Sequence, residues 1–540
     1  MPDVLLVVAL VFVTLLDHVD CKQPNIVIIV ADDLGYNDVG FRGSIALTPN
    51  IDRLANKSVI LENHIVAASC SPTRSALMTG RYPIRTGFWK GNIKPMEEFG
   101  LGLDETLLPE MLKTNGYSTH GVGKWHLGMH TWEHTPAKRG FDTWFGLYNC
   151  QQDYFKHTFI NQTDFRENYY DENSNLVDDI RNDLTGQYNT YLFTDKSVEL
   201  IQNHNQSNPF FLYLAYTAPH VPHQASKEDV NRFASHIPKS TLEREERQIY
   251  TTQISVMDEG IGKVIDTLRL KGMMDNTVLL FTSDNGACHF GSNYPLRGGK
   301  RSHLEGGVRA VSFVHSPLLE NSGYTNTNLH HVTDWYATFQ KLAGDNPEKH
   351  SKPQLPIDGV DIWRSINNNE SCRDEILYEL RDPSKRLDPA GRNGLDNAKK
   401  YPINLKTFEA KFRKAEHEFS YDAQDFFAIR WKNWKLLVGT GIMLQGWTSE
   451  SGQRDEYERF LSYELEMHPW CIVSGTFLFD LSTDVREEHN VADKYPDMVM
   501  KLLDKKQGYL DKMKTVEARH FSDKSKVDGV WKPWVELTVV

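Results

Sequence analysis

The apolar positions of this chain gather into short unbroken runs, each ending in a polar cluster. Asn25-Ile26-Val27-Ile28-Ile29-Val30-Ala31 runs into Asp32-Asp33-Leu34-Gly35. Pro209-Phe210-Phe211-Leu212-Tyr213-Leu214-Ala215-Tyr216 runs into Thr217-Ala218-Pro219-His220, and Thr277-Val278-Leu279-Leu280-Phe281-Thr282 into Ser283-Asp284-Asn285-Gly286. A β-branched run without polar alternation marks a strand covered on both faces, as in a parallel sheet. Helical spacing over Glu105–Thr114 and Arg247–Leu270 fills part of the intervals. The alternation predicts an α/β domain with helices on both faces of a mostly parallel sheet. Its polar strand ends then share the carboxyl edge, where open α/β sheets hold ligands.

After about residue 370 the pattern changes. Ser384 to Gln424 is polar and charged, with helical spacing only around Phe408 and Phe412. Phe426–Arg430, Trp434–Val438 and Thr476–Leu481 are short strand-like pieces and predict a smaller α+β domain on an antiparallel sheet. The expected division is residues 22–370 and 371–540. A length of 540 residues fits two domains. A net charge of −12 argues against a nucleic-acid partner. Any anionic substrate must therefore meet a local cluster of cations. Val4–Leu16 is too short an apolar run to span a membrane and reads as part of a secretory signal peptide, residues 1–21. The N-x-S/T triplets at Asn56, Asn161, Asn205 and Asn369 fit a secretory glycoprotein.

Candidate chemistry gathers at the strand ends. The paired carboxylates Asp32 and Asp33, with Asp284 and Asn285 on another strand, offer four oxygen donors, which suit calcium better than a soft metal. In Gly121-Val122-Gly123-Lys124-Trp125-His126 a strand would turn Lys124 and His126 to one face. His220 follows a strand, and Lys300 lies in the glycine-rich Arg297-Gly298-Gly299-Lys300. The most specific stretch is Cys70-Ser71-Pro72-Thr73-Arg74-Ser75-Ala76-Leu77-Met78-Thr79-Gly80-Arg81. Proline near its start and glycine at its end predict a short helix. Cys70 would sit at the N-terminus of that helix, where backbone N–H groups favour an anion.

In order and spacing these residues resemble the sulfatase family, from about Asn25 to the C-terminus. The likeness includes Arg139-Gly140-Phe141-Asp142, Glu305-Gly306-Gly307-Val308-Arg309 and Phe479-Asp480-Leu481, and looks most like the arylsulfatase B branch. The resemblance implies an alkaline-phosphatase-like fold and a sulfuric ester hydrolase with its catalytic domain over residues 22–370. It implies one calcium ion on Asp32, Asp33, Asp284, Asn285 and position 70, and oxidation of Cys70 to formylglycine by the formylglycine-generating enzyme. By the same resemblance Arg74 holds that group, while Lys124, His126, His220 and Lys300 surround the sulfate. Asp284 would take a proton from the attacking hydroxyl. His220 and Lys300 would protonate the leaving alcohol, and His126 would assist sulfate release. The implied substrate is a sulfated sugar such as N-acetylgalactosamine 4-sulfate. The alternatives are a dietary sulfated glucoside, as for a glucosinolate sulfatase, and a non-catalytic binding protein of the same fold. A lysosomal or secreted location follows. With Cys21 in the leader and Cys70 modified, Cys150, Cys288, Cys372 and Cys471 could form two disulfides in three pairings.

Overall fold

The computed structural model describes residues 22–235, 237, 244–288, 290–352, 354–382, 386–387, 425–443, 472–517, 522–527 and 529–535. The expected signal peptide and nearly all of Ser384–Gln424 lie outside the described residues.

Ten strands form the main sheet. They are β1 (Asn25–Ala31), β2 (Val59–Ile65), β3 (Ser118–Lys124), β4 (Thr143–Leu147), β5 (Arg166–Tyr170), β6 (Leu176–Ile180), β7 (Phe210–Ala215), β8 (Thr277–Ser283), β9 (Ser312–His315) and β10 (Tyr324–His331). Their spatial order is β10-β2-β9-β8-β1-β7-β3-β4-β5-β6. The central five, from β8 to β4, are parallel. The three apolar runs legible in the sequence are β1, β7 and β8, side by side in the middle.

Period-two alternation in β1 makes a three-layer domain. Ile26, Ile28 and Val30 pack in one core with α1 (Cys70–Thr79), α2 (Leu108–Thr114) and α6 (Asp334–Leu342). Val27, Ile29 and Ala31 pack in the other with α3 (Asn189–Asn203) and α4 (Arg244–Leu270). Each large side chain so buried stabilises the fold by about 1.5–3 kcal/mol. Helix α2 starts later than the spacing predicts, because Pro109 fits only its first turn and Glu110 accepts the Leu107 N–H at 2.7 Å. A short helix α5 (Glu305–Val308) follows the Lys300 loop.

The second sheet contains β11 (Glu375–Arg381), β12 (Phe426–Trp431), β13 (Trp434–Met443) and β14 (Ile472–Asp480), antiparallel and in that order. One face, with Ile376, Phe426 and Leu437, packs on Leu304 and Val308 beside the main sheet. The other, with Leu380, Phe427 and Leu436, covers Tyr82, Ile84 and Trp89. The disulfide expectation is corrected. Cys150, Cys288 and Cys372 are free thiols, so two bridges do not form; Cys471 lies outside the described residues. Spacing alone could not show that Cys288 bonds a carboxylate instead. Asn56, Asn161, Asn205 and Asn369 are all exposed.

Buried histidines give the fold a pH dependence. His64 and His330 are registered partners across β2 and β10, both fully buried. The Trp335 indole N–H donates to His64 Nε2 at 3.0 Å, which requires a neutral ring there. Burial, with His330 alongside, pushes His64 down to about 3, and burial with Arg373 does the same to His330. Above the ordinary value of 6.5 both rings are neutral, folded or unfolded. Below it the unfolded chain takes protons first, so stability falls as pH drops from 6.5 toward 3. One unit below 6.5 the pair costs about 3 kcal/mol. The urea midpoint is expected to drop between about pH 7.5 and about pH 5.5, and His64→Asn is expected to shrink the drop. An equal drop in the variant would count against neutral burial of His64.

Candidate active site

Neighbouring strand ends build the site. Ala31 and Ser283 are registered partners in β1 and β8, so Asp32-Asp33 and Asp284-Asn285 leave the sheet side by side. Lys124 ends β3, His220 lies just beyond β7, and α1 brings in Cys70. Donor atoms of Asp32, Asp33, Cys70 and His220 all lie within 4.8 Å of one another, and all four residues are buried. The sequence-predicted residues therefore converge, with Lys124, His126, Lys300, Asp284 and Asn285 each 8% exposed or less.

The ion pairs are short. Lys124 Nζ lies 2.6 Å from Asp32 Oδ2. Lys300 Nζ lies 2.7 Å from Asp33 Oδ1, and Arg74 Nη2 2.8 Å from Asp284 Oδ2. Burial, with Asp284 alongside, pushes the Asp32 carboxyl up to about 7 in spite of Lys124 and Arg74. Against the same burial, Lys300 and His220 hold Asp33 far below the carboxylate range, and Arg74 and Lys124 hold Asp284 low. Asn285 Nδ2 donates to Asp33 Oδ1 at 2.7 Å, while Asn285 Oδ1 is buried with no hydrogen-bond partner. An orphaned amide oxygen among carboxylates is a donor set that fits a hard cation. The Cys70 thiol donates to Asp32 Oδ1 at 3.6 Å, and burial with Asp284 pushes it up to about 12. It is a thiol at neutral pH, so its sulfur is a poor nucleophile.

Several details differ from expectation. Strand β3 stops at Lys124, and His126 takes a left-handed φ of 57°. Its approach to the site is fixed by that turn and not by strand alternation. His126 Nε2 lies 2.9 Å from the Ile93 carbonyl, which can only accept. The ring proton is therefore on Nε2, and Nδ1 is buried without a partner. Burial and Lys124 hold this imidazole well below its usual range. His220 donates from Nδ1 to the Val221 carbonyl at 2.6 Å and turns Nε2 toward Asp33, 3.6 Å from Oδ2. Burial and Lys300 push His220 down to about 3, so it is neutral at rest.

The α1 terminus is less open than the sequence suggests. Asn92 Oδ1 accepts the Ser71 N–H at 2.9 Å, Pro72 has none, and Thr73 N–H already donates to Ser69 O. Arg74 reaches Asp284, the Lys124 carbonyl at 3.1 Å and the Tyr213 hydroxyl at 3.2 Å. Its hydrogen bonds thus orient the Asp284 carboxylate beside position 70. Sequence reasoning missed Asn92, Ile93, Tyr213 and Cys288, whose thiol donates to Asp33 Oδ2 at 3.3 Å. It also missed the brace behind Asp33. Asp38 binds Arg247 at 2.9 Å and Tyr250 at 2.8 Å, and the Tyr250 hydroxyl reaches the Asp33 carbonyl at 3.1 Å. Asp38 could have been singled out as a polar residue in the loop after β1; nothing local marks Arg247.

Comparison with known proteins agrees with this geometry. The sulfatase family profile matches residues 24–345. Arylsulfatase J of Mus musculus is 35% identical over 527 residues, covering 95% of this chain and 80% of that protein. N-acetylgalactosamine-6-sulfatase of Homo sapiens is 34% identical over 380 residues, covering 66% and 68%. The crystal structure of Ps i-CgsB in complex with k-i-k-neocarrahexaose superposes with a TM-score of 0.68 at 27% identity, over 92% of this chain and 94% of that one. PsFucS1 sulfatase from Pseudoalteromonas sp., at 21% identity and a TM-score of 0.66 over 92% of each chain, shares the fold. Profile and relatives together show that this chain belongs to the sulfatase family and is a sulfuric ester hydrolase.

Proposed function

We propose that the chain hydrolyses the sulfate ester of a sugar through a formylglycine made from Cys70, with one calcium ion held by Asp32, Asp33, Asp284, Asn285 and position 70. The observation that carries the reading is the meeting of an unreactive buried thiol, three carboxylates, an orphaned amide oxygen and two lysines at one point. When bound, the ion would supply positive charge and polarise the sulfate oxygens. The aldehyde hydrate would supply two hydroxyls on one carbon, one to attack sulfur and one to expel sulfate.

The other roles belong to side chains already described. Lys124 and Lys300 offset the charge of the sulfate oxygens, since their carboxylate partners, against burial, hold both above the ordinary lysine value and therefore charged. Asp284 is kept anionic by Arg74 and accepts the proton of the attacking hydroxyl. His126 takes a proton at Nδ1, because the Ile93 carbonyl fixes its other hydrogen at Nε2. Lys300 carries the proton the leaving alcohol needs; neutral His220 offers Nε2 beside it.

The substrate is proposed as N-acetylgalactosamine 4-sulfate or a close relative. Support for the sugar comes from a relative named N-acetylgalactosamine-6-sulfatase and a neighbour solved in complex with k-i-k-neocarrahexaose; the 4-position is the resemblance's own implication. We also propose a secretory route to lysosome or exterior, glycans on the four exposed asparagines, and the domain division 22–370 and 371–540. Among the described residues no helix is long and apolar enough to cross a membrane. The test uses protein co-expressed with the formylglycine-generating enzyme. Mass spectrometry is expected to find aldehyde at position 70, and sulfated N-acetylgalactosamine to be cleaved in preference to sulfated glucosides. Chelation is expected to lower activity and thermal midpoint, with calcium restoring both. An unmodified thiol in fully active protein would overturn the reading.

A further inference from the structure

A cluster of buried charges outside the site joins the second sheet to the loop that carries Lys300. Glu305, the first residue of α5, is completely buried. Three adjacent strands of the second sheet send side chains toward its carboxylate. Lys435 from β13 lies 2.9 Å from Oε1, the Tyr378 hydroxyl from β11 donates to Oε1 at 2.9 Å, and Arg430 from β12 lies 3.6 Å from Oε2. Arg309 closes the other side at 2.6 Å from Oε2.

Glu487, in the loop after β14, is the second anion. Its Oε2 accepts the Glu305 N–H at 2.6 Å, and Oε1 lies 2.8 Å from Lys435 Nζ. Its carbonyl accepts from Arg297 Nη1 at 2.8 Å. It is completely buried and holds a left-handed φ of 55°, a conformation that costs energy for a side chain of this size.

Helix α5 touches the Lys300 loop backbone to backbone. Gly306 N–H donates to Arg297 O at 2.7 Å. A Cβ at Gly306 would lie 2.4 Å from Gly298 O, and one at Gly307 2.1 Å from Ser302 O. No side chain cushions this contact, so a shift of α5 passes directly into residues 297–302. Lys300 stands in the middle of that segment, its own N–H bonded to Ala287 O at 3.1 Å.

We infer that Glu487 and Lys435 are positioning residues for Lys300: the second sheet fixes α5 through a buried ion cluster, and α5 fixes the loop that places the Lys300 ammonium. This rests on the reading above that Lys300 meets the sulfate.

The test is binding of inorganic sulfate by calorimetry, together with kcat and KM on an aryl sulfate. Glu487→Gln is expected to weaken sulfate binding about tenfold or more, the scale for losing an outer partner of a site group. Leu436→Ala is the control: it empties a fully buried position in the core on the opposite side of the second sheet. It is expected to lose stability and keep wild-type sulfate affinity. Should Glu487→Gln not fold, the double variant Glu487→Gln/Lys435→Met, which removes one charge of each sign, is read the same way. Wild-type sulfate binding in the folded Glu487 variant would overturn the inference, as would equal weakening in Leu436→Ala. Lys300→Met separates the two layers. If it binds sulfate normally, the role given to Lys300 fails, and the inference with it. If it loses sulfate while the Glu487 variant does not, only the inference fails.

Discussion

Cys70→Ala is expected to lose turnover of sulfate esters by about four orders of magnitude or more, the scale of removing a nucleophile, while staying folded. The side chain is buried and makes one weak hydrogen bond, to Asp32 Oδ1 at 3.6 Å. Losing it should cost only about 1 kcal/mol. Unconverted wild-type protein is expected to be nearly as inactive. Its thiol is pushed up to about 12 by burial and by Asp284, and a thiol of that kind is not ionised near neutrality. Cys70→Ser separates attack from release. A serine oxygen can accept the sulfuryl group but has no second hydroxyl on its carbon to expel it. The expected outcome is one equivalent of alcohol per chain, then arrest, with the sulfate retained in the intact mass. Sustained turnover by the serine variant would remove the case for a hydrate.

The central strands and their polar ends were legible because nothing interrupts them. β1, β7 and β8 are buried on both faces, and a strand of that kind writes itself as an unbroken run. The outer strands were not. β11 reads Glu-Ile-Leu-Tyr-Glu-Leu-Arg, and a bulge between Leu377 and Glu379 breaks the period-two signal. β10 carries a similar shift between Asn326 and Leu329. In the site, residues named by motif converged as expected. What they do to one another was not legible, because the deciding partners come from far along the chain. The Ile93 carbonyl sets the His126 tautomer, and Tyr213 takes part of the Arg74 guanidinium. Burial and Lys300 together hold His220 neutral at rest, which its place after a strand and a proline does not reveal.

Arg74→Met is expected to be the most damaging single change to the folded state that leaves Cys70 in place. The guanidinium is fully buried and satisfies three elements at once. Nε and Nη2 hold Asp284 Oδ2 at 3.1 and 2.8 Å, and Nη1 holds the Lys124 carbonyl and the Tyr213 hydroxyl. Removing one partner of such a pair leaves a buried carboxylate with too little positive charge around it, at a cost of about 3–5 kcal/mol. Asp284 would then rise toward the protonated form, as Asp32 already does beside it. A protonated Asp284 cannot accept a proton from the attacking hydroxyl, so activity should fall further than stability alone explains. Arg74→Lys is not expected to rescue it, because an ammonium cannot bridge a carboxylate, a carbonyl and a hydroxyl with one rigid fork. The sign of the metal effect gives the sharper test. With one fixed cation gone from among three carboxylates, added calcium should raise the thermal midpoint of Arg74→Met more than that of the wild type. Equal shifts would mean that Arg74 does not compete with the metal for these anions.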